Sequence, residues 1–223
     1  MPELQSQFGG IDIYLFDQLL RGRMPAGITL LDAGCGAGRN LVYFLQAGYR
    51  VLGADADPAA IAAVQQLAVA LAPATPPDAF RVEPVEAMSF PDGAADVVLS
   101  SAVLHFARND AHFWSMLRGS WRVLRPGGML FCRLAGLTGQ EGAARSIGNG
   151  RYALPDGSER YLVSESFLRA TTTTLGGELL DPLKTTVVHG QRSMTTWVVR
   201  RLSERLDTSR SIARQARGDI VAR

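Results

Sequence analysis

Short apolar runs alternate with segments of helical periodicity through the first half of the chain. The runs at 28–32 and 50–55 are bounded by glycine or polar residues, which is typical of buried strands. Between them, residues 39–48 carry apolar side chains every three or four positions and end at a glycine, as an amphipathic helix does. This pattern predicts a strand, a loop, a helix and a second strand, in that order.

The same alternation continues to residue 135. Prolines interrupt residues 72–78, PDG stands at 91–93 and PGG at 126–128, so each of these stretches is expected to be a turn or loop. The segments between them predict a helix at 58–71, a strand at 80–85, a strand at 95–100, a helix at 111–124 and a strand at 129–134. Five strands that alternate with helices predict a doubly wound α/β fold with a mostly parallel, Rossmann-like sheet.

The C-terminal part of the chain departs from this alternation. Residues 136–157 are polar and rich in glycine, which predicts a loop, whereas 164–175 has helical spacing. Two further runs at 178–188 and 193–200 are joined by the short turn HGQR, which forces the two strands to be antiparallel. The prediction is therefore a seven-stranded sheet that ends in an antiparallel C-terminal hairpin.

We expect a single folded domain over residues 1–201. A chain of 223 residues with 47% hydrophobic content suffices for one substantial core rather than two. In chain order the expected parts are an N-terminal helix at 1–27, a ligand-binding core at 28–135, a substrate-side loop at 136–163, a final helix and strand pair at 164–201, and a basic tail at 202–223.

Composition and charge exclude several function classes. The net charge is +2, yet residues 200–223 hold seven arginines and three acids, so the rest of the chain carries −2 and gives no electrostatic footprint for nucleic acid. No run approaches the roughly 20 apolar residues of a membrane helix and the first residues lack a signal-peptide pattern, so we expect a cytoplasmic protein without a membrane partner. Cys35 and Cys132 stand far apart, so neither a disulfide nor a metal site is expected.

The stretch LLDAGCGAGRN at 30–40 indicates a small ligand. Gly34, Gly36 and Gly38 stand between a strand and a helix, where missing β-carbons permit positive φ and let a ligand approach the backbone. The third glycine comes one residue earlier than in dinucleotide loops, and Asp55 ends the second strand, where an acid accepts hydrogen bonds from ribose. The pattern favours an adenosine ligand over a pyrophosphate.

Four motifs in register carry a family resemblance. DAGCGAG at 32–38, VLGADADP at 51–58, FPDGAADVV at 90–98 and RVLRPGG at 122–128 resemble the motifs of class I S-adenosylmethionine-dependent methyltransferases. The resemblance covers residues 28–135. The sequence GCGAGRN, followed by an aromatic-rich helix, also resembles the tellurite-resistance branch of these enzymes.

The resemblance implies S-adenosyl-L-methionine as cofactor and S-adenosyl-L-homocysteine as product. The glycine loop would pass beneath the methionine part, with Asp32 near its ammonium group and Asp55 on the ribose hydroxyls. For adenine, two alternatives stay open: Glu86 accepts from the amine, or backbone groups near Val85 and Ala87 do. The other positions expected around the cofactor are Gly34, Cys35, Gly36, Gly38, Asn40, Ala56 and Ser100.

Few side chains are candidates for catalysis, because the methyl group of S-adenosylmethionine is already activated and chiefly needs an in-line nucleophile. His105 follows the fourth strand and is a candidate to contact or deprotonate the substrate, or alternatively to pack at the strand end. Tyr14, in the segment IDIYLFDQLL, is a candidate to close over the sulfonium as part of a lid helix, or alternatively to pack in the core.

The acceptor is expected to be a small molecule. Arg151, Tyr152 and Arg160 lie in the predicted loop at the same rim, and Arg192 lies in the last turn, so these residues are candidates to hold an anionic substrate; a solvated loop is the alternative. After the fourth strand the chain has SSAV, where methyltransferases of nucleobase amines resemble one another in an Asn/Asp-Pro-Pro-aromatic tetrad. A nucleobase amine is therefore not expected.

The sequence favours methyl transfer to a small acceptor, with a thiol or a metalloid anion preferred. An O- or N-methyltransferase of specialised metabolism, with His105 as base, is the alternative within the enzyme class. A sensor or scaffold that binds S-adenosylmethionine without turnover is the alternative outside it. A nicotinamide-dependent oxidoreductase is disfavoured by the glycine spacing. The oligomeric state stays open.

Overall fold

The computed structural model describes residues 2–203, which contain six α-helices and eleven β-strands. The helices are α1 (Pro2–Phe8), α2 (Ile13–Leu20), α3 (Val42–Gln46), α4 (Pro58–Leu71), α5 (Asp110–Val123) and α6 (Glu165–Thr174). The strands are β1 (Thr29–Ala33), β2 (Arg50–Asp55), β3 (Phe80–Val82), β4 (Ala95–Ser101), β5 (Leu124–Ala135), β6 (Arg145–Gly148), β7 (Arg151–Ala153), β8 (Glu159–Tyr161), β9 (Gly177–Leu179), β10 (Lys184–Val188) and β11 (Arg192–Arg201). Short 3-10 helices lie at Pro77–Ala79, Val85–Ala87 and Leu104–Phe106.

The main sheet is mixed, and its strands lie in the order β10-β11-β5-β4-β1-β2-β3, with the short β9 also paired to β11. β1 to β5 pair in parallel, whereas β11 is antiparallel to β5, β9 and β10. The predicted α/β class, with a mostly parallel sheet and an antiparallel C-terminal hairpin, is the observed one. β9 adds an eighth strand to the seven expected.

The centre of the sheet is the core of the fold. Leu30 and Leu31 of β1, Val98 and Leu99 of β4, and Phe131 of β5 are each 0% exposed. Neighbouring side chains are buried on both faces of these strands, which explains why the strands are continuous apolar runs rather than alternating ones. These apolar runs therefore allowed the central strands to be predicted from the sequence.

The N-terminal segment is two helices rather than the single helix expected at 1–27. Gly9 has φ +58° and ends α1, and the Asp12 side chain accepts a hydrogen bond from the Tyr14 N–H at 2.9 Å, which caps α2. The second oxygen of Asp12 binds Arg133 at 2.6 Å. This carboxylate therefore fastens the start of α2 to β5.

The predicted strand at 178–188 is divided into β9 and β10. Asp181 leaves the sheet because its carboxylate binds Arg23 at 2.7 Å and Gln18 at 3.0 Å, and Pro182 has no N–H to donate to a ladder. The predicted helix at 39–48 is also shorter, since the turn after the glycines continues to Leu41, whose N–H binds Gly38 O at 2.9 Å. The third strand ends at Val82 instead of residue 85.

The segment 136–163 was expected to be a loop, and that expectation is wrong for much of it. β6, β7 and β8 form a separate antiparallel sheet. Asn149 and Gly150 have φ of +55° and +75° and connect β6 to β7 as a two-residue turn, the conformation that Asn-Gly favours between strands. That dipeptide was the sequence signal for this hairpin.

Two further expectations concern the C-terminal tail and the cellular location. The basic tail at 202–223 lies outside the described residues from 204 onward. Within residues 2–203, no helix is both long enough and apolar enough to cross a membrane. The cytoplasmic location stays a prediction.

Replacing Gly119 with Ala is expected to destabilise the fold. A β-carbon at Gly119 in α5 would overlap the carbonyl oxygen of Val85 and lie 3.1 Å from the Glu86 α-carbon, so α5 would be pushed off the turn at 85–87. Overpacking of this kind costs about 1–3 kcal/mol in the free energy of unfolding. Urea unfolding measures the loss, and Gly142→Ala, where no atom lies within 4 Å, is the matched control. Equal stability of the two variants would contradict this packing.

Candidate functional site

The glycine loop after β1 is fastened to the end of β2. The N–H groups of Gly34 and Cys35 both donate to the Ala54 carbonyl, at 2.8 and 3.0 Å. Gly34, Gly36 and Gly38 have φ of +86°, +52° and +80°, so the predicted positive-φ loop is present. No atom lies within 4 Å of where a β-carbon of Gly36 would stand, so the loop backbone faces open space there.

Asp55 joins this loop to the start of α4. One of its carboxylate oxygens accepts from the Gly36 N–H at 2.9 Å, and the other accepts from the Asp57 N–H at 3.0 Å. Asp57 in turn accepts from the Ala59 N–H at 2.8 Å and caps α4. The orientation of the Asp55 carboxylate is therefore fixed on both sides.

A cavity of about 690 Å³ opens beside the loop, and we name it the glycine-loop cavity. It lies at the carboxyl ends of the parallel strands, where doubly wound sheets bind their ligands. Eight of the predicted cofactor residues line it: Gly34, Cys35, Gly36, Asn40, Asp55, Ala56, Val85 and Glu86. Sequence reasoning missed further lining residues, among them Arg39, Ser101, Phe106 and Met116.

Four predicted cofactor residues do not line the cavity. Ser100 is 0% exposed, and the neighbouring Ser101 lines the cavity instead, because successive side chains of a strand point to opposite faces. Gly38 packs against α4, where its β-carbon would lie 2.7 Å from Val64. The Ala87 N–H donates to Pro84 O at 2.9 Å and is not available to a ligand. Asp32 lies buried beneath the loop.

Asp32 is a buried carboxyl group without a full set of partners. It is 1% exposed, and Oδ1 has no hydrogen-bond partner among the described residues. Burial raises the pKa of Asp32 to about 8, opposed by the nearby Arg39 and assisted by Asp55. At neutral pH the Asp32 carboxyl group therefore keeps its proton, and a cationic group placed beside Oδ1 would favour the release of that proton.

Glu86 is oriented by His112 of α5. The Arg108 N–H donates to His112 Nδ1 at 3.1 Å, so in the neutral ring the proton sits on Nε2. His112 Nε2 lies 3.1 Å from Glu86 Oε1 and donates to it. Glu86 is therefore a positioned hydrogen-bond acceptor at the cavity wall.

A second cavity of about 430 Å³ adjoins the first, and we name it the arginine cavity. Arg39, Ser101 and Ala102 line both cavities and form the junction between them. The other charged or titratable residues lining the arginine cavity are Asp12, His105, Arg133, Asp156, Arg160 and Arg192. Two of the four predicted substrate residues, Arg160 and Arg192, are thus brought to it.

The other two predicted substrate residues face elsewhere. Arg151 binds Glu159 at 2.6 Å across β7 and β8, and Tyr152 stands opposite Arg160 in the register of that sheet. Neither lines the arginine cavity or the glycine-loop cavity. The predicted solvated alternative fits Arg151, which is one-third exposed.

His105 lines the arginine cavity and is 6% exposed. Its Nδ1 accepts the Ala135 N–H at 3.3 Å, so the neutral ring carries its proton on Nε2. Burial, assisted by the nearby charge of Arg160, lowers the pKa of His105 to about 4. At neutral pH this histidine is an uncharged hydrogen-bond donor toward any ligand at Nε2.

Tyr14 lines neither cavity. Its hydroxyl shares a hydrogen bond of 2.6 Å with Thr186, and the guanidinium of Arg133 lies 5.0 Å from the ring centre. Lys184 Nζ lies 6.0 Å from the same ring. The ring is therefore occupied by cations of the protein itself, which supports the packing alternative over closure on a sulfonium.

Within residues 2–203, no three His, Cys, Asp or Glu side chains are grouped closely enough to hold a metal ion. The two cysteines are buried, and burial raises the pKa of both thiols. Neither thiol is therefore poised to act as a nucleophile.

Residues 31–132 match the family model described as "Methyltransferase domain". A curated relative, the 2-methyl-6-phytyl-1,4-hydroquinone methyltransferase of Synechocystis sp., is 33% identical over 129 residues, which are 56% of this chain and 34% of the relative. The chain thus spans about a third of the length of that relative. The predicted family resemblance is confirmed over this core.

Solved structures show the same fold. A SAM-dependent methyltransferase from Methanosarcina mazei has a TM-score of 0.65 at 21% identity, with 83% of this chain and 98% of that chain covered. The 1,6-didemethyltoxoflavin-N1-methyltransferase of Burkholderia thailandensis, with 1,6-didemethyltoxoflavin and S-adenosylhomocysteine bound, has a TM-score of 0.64 at 19% identity, with 91% and 86% covered. The predicted fold class is confirmed.

Replacing Asp32 with Asn is expected to flatten the dependence of stability on pH. The folded chain keeps this proton up to a pKa of about 8, whereas the unfolded chain releases it near 3.8. Between these values the folded state binds more protons, so the free energy of unfolding falls as pH rises, by up to about 1.4 kcal/mol per pH unit from this group. The variant lacks that contribution.

Urea unfolding of both proteins across this pH window measures the difference. Asp57→Asn is the control, since Asp57 is exposed and Asn keeps the cap of α4. Parallel stability curves for the wild type and Asp32→Asn would contradict the raised pKa.

Proposed function

We propose that this chain, which carries a class I S-adenosylmethionine-dependent methyltransferase domain, transfers a methyl group from S-adenosylmethionine to a small-molecule acceptor and releases S-adenosylhomocysteine. The observation that carries the proposal is the junction of two cavities at the carboxyl ends of the strands. One cavity bears the glycine loop and Asp55, and the other is a cleft of a size that suits a small molecule.

The residues of the glycine-loop cavity fit the cofactor. Asp32 does not line the cavity, but its unpartnered carboxyl group beneath the glycine loop would favour an ammonium group placed nearby. Asp55 presents a fixed carboxylate for ribose hydroxyls, and Glu86, oriented by His112, is an acceptor for the adenine amine. When bound, S-adenosylmethionine supplies a sulfonium that activates the methyl group, so the chain needs only to position the acceptor and exclude water.

The acceptor that fits best is anionic before transfer, as a thiolate or a metalloid oxyanion is. Four guanidinium groups and two carboxylates line the arginine cavity, so its wall favours an anion. His105 carries its proton on Nε2, and its accepting nitrogen, Nδ1, is already bound to the Ala135 N–H; a further proton would also charge a buried ring next to Arg160. This supports an acceptor that requires no general base, and it is consistent with the tellurite-resistance branch.

Small acceptors also occur among the similar proteins. The relative from Synechocystis is named for a hydroquinone, and the structure from Burkholderia thailandensis holds 1,6-didemethyltoxoflavin. An O- or N-methyltransferase with His105 as base is the competing hypothesis, and it requires the ring both to release the Ala135 N–H and to become charged when it accepts the proton. A sensor without turnover is the competing hypothesis outside the enzyme class.

Replacing Asp55 with Ala is expected to weaken binding of S-adenosylhomocysteine by about 10- to 100-fold, since hydrogen bonds to a charged group are lost. Calorimetric titration measures the affinity, with NADH as a second ligand. Asp57→Ala is the matched control: it removes a helix cap and about 1 kcal/mol of stability while leaving the affinity nearly unchanged. Binding of NADH alone would overturn the cofactor assignment.

For thiol acceptors of different acidity, the midpoint of the pH profile of kcat/KM is expected to follow the pKa of each thiol. The reason is that the chain supplies no base and reacts with the thiolate that is already present. Methylation rates measured from about pH 6 to about pH 9 over such a panel test this. A midpoint that stays constant across the panel would indicate a base of the protein and favour the competing hypothesis. Absence of turnover with thiols, metalloid oxyanions, phenols and amines alike would favour a sensor.

A further inference from the structure

Among the described residues, Arg160 is the arginine of the arginine cavity that makes no hydrogen bond or ion pair with a side chain, although Asp156 lies near enough to interact with its charge. Arg133 binds the Asp12 carboxylate at 2.6 Å, and Arg192 lies 3.8 Å from that of Asp156. Arg39 donates to Ser101 Oγ at 3.2 Å and to a backbone carbonyl. Among the described residues, Arg160 donates only to the carbonyl of its own neighbour in β8, at 2.8 Å. Most donors of this guanidinium are free for a ligand.

The position of Arg160 is nevertheless fixed. Its guanidinium carbon lies 4.8 Å from the ring centre of Phe106, which faces it from the turn at 104–106. The same turn carries His105, whose ring lies 4.6 Å from that of Phe106. Arg160 and His105 both line the arginine cavity, so a charged fork and an uncharged ring donor are presented side by side.

Two buried donors at the same wall also lack partners. Ser193 is 5% exposed, and its hydroxyl has no hydrogen-bond partner among the described residues. Arg133 Nε is likewise buried and unpartnered. Both atoms are fully buried, so neither is exposed to a ligand in the cavity, and they leave the wall around it with unmet donors that cost free energy.

Leu154, Val188 and Met194 give the remaining lining an apolar part, and Ser158 and Thr186 give it a polar part. A ligand that fits must therefore combine an apolar body with an oxyanion.

We propose that the acceptor carries, besides the atom that is methylated, a carboxylate bound by Arg160 and by His105 Nε2–H. The proposal rests on the proposed function for the role of the cavity. The carboxylate and the junction with the glycine-loop cavity would hold the acceptor at two points, which fixes its orientation toward the methyl group. Arg160 is then a specificity-determining residue, and His105 is an uncharged donor in place of a base.

Benzoate and benzamide test this as a matched pair of probes, since they share a ring and differ in charge. Ligand-observed NMR titration of protein saturated with S-adenosylhomocysteine is expected to show benzoate binding at least about tenfold more tightly than benzamide. Arg160→Gln is expected to reduce that preference to less than about twofold. Arg145→Gln, in the exposed strand β6 of the same small sheet, is expected to keep it.

The histidine is tested by two variants. His105→Gln keeps an acceptor for the Ala135 N–H and a donor toward the ligand, so it is expected to retain most of the preference. His105→Leu removes both the acceptor and the donor, and it is expected to reduce the preference for benzoate by about threefold or more. Thermal unfolding of each variant separates loss of fold from loss of binding.

Equal affinity of the wild type for the two probes, or a preference that survives Arg160→Gln, would overturn the carboxylate anchor while leaving methyl transfer intact. If S-adenosylhomocysteine does not bind, the proposed function fails instead, and titration of the unloaded protein with the same probes still decides the anchor.

Discussion

The attachment of the glycine loop to the end of β2 is the constraint on which the site depends. β1 and β2 pair in register up to Ala33 and Ala54, and the Ala54 carbonyl then accepts both Gly34 N–H and Cys35 N–H. The next acceptor along β2 is the Asp55 carboxylate, which takes the Gly36 N–H. The same strand end therefore shapes the loop and aims an acid into the cavity. Side chains on the loop would obstruct both its hydrogen bonds to the end of β2 and the space beside it. This explains why glycines stand just before a helix.

This attachment also buries Asp32. The loop closes over the carboxyl group, and burial raises its pKa to about 8 because water no longer stabilises the charged form. An unpartnered buried acceptor such as Asp32 Oδ1 lowers the free energy of unfolding. A cation near Asp32 would offset that cost, so the buried carboxyl group favours a positively charged ligand group in the adjoining cavity.

Sequence reasoning reached the parts of the fold that local patterns encode. The bounds of β2 and α4 follow from apolar runs, a capping Asp57 and Pro58, and the structure has them at the predicted positions. The division of the last strand pair was missed because it depends on Asp181 meeting Arg23, which is 158 residues away in the chain. The sequence predicted Ser100 instead of Ser101 because the chain alone does not show which face of β4 lies toward the cavity. Adjacent strand positions point to opposite faces, and the neighbouring strands decide which face that is. The Asn149–Gly150 dipeptide was a local signal for a hairpin, but the polar, glycine-rich composition around it led to the prediction of a loop.

The acceptor side shows most clearly why counting charged residues does not locate a binding site. The sequence supplies candidate arginines, but only the folded chain decides which of them form ion pairs. Arg133 binds Asp12, which is 121 residues away in the chain, and Arg151 binds Glu159 outside the cavity. Arg160, next to Glu159 in β8, keeps most of its donors free and lines the same cavity as His105, whose pKa is lowered by burial and, to a lesser extent, by the charge of Arg160. The chemical preference of the cavity is therefore set by the pattern of pairing around it. His105 could be interpreted from its position alone as a base or as a packing residue, and its buried, uncharged ring with Nδ1 occupied favours the proposed role of a donor.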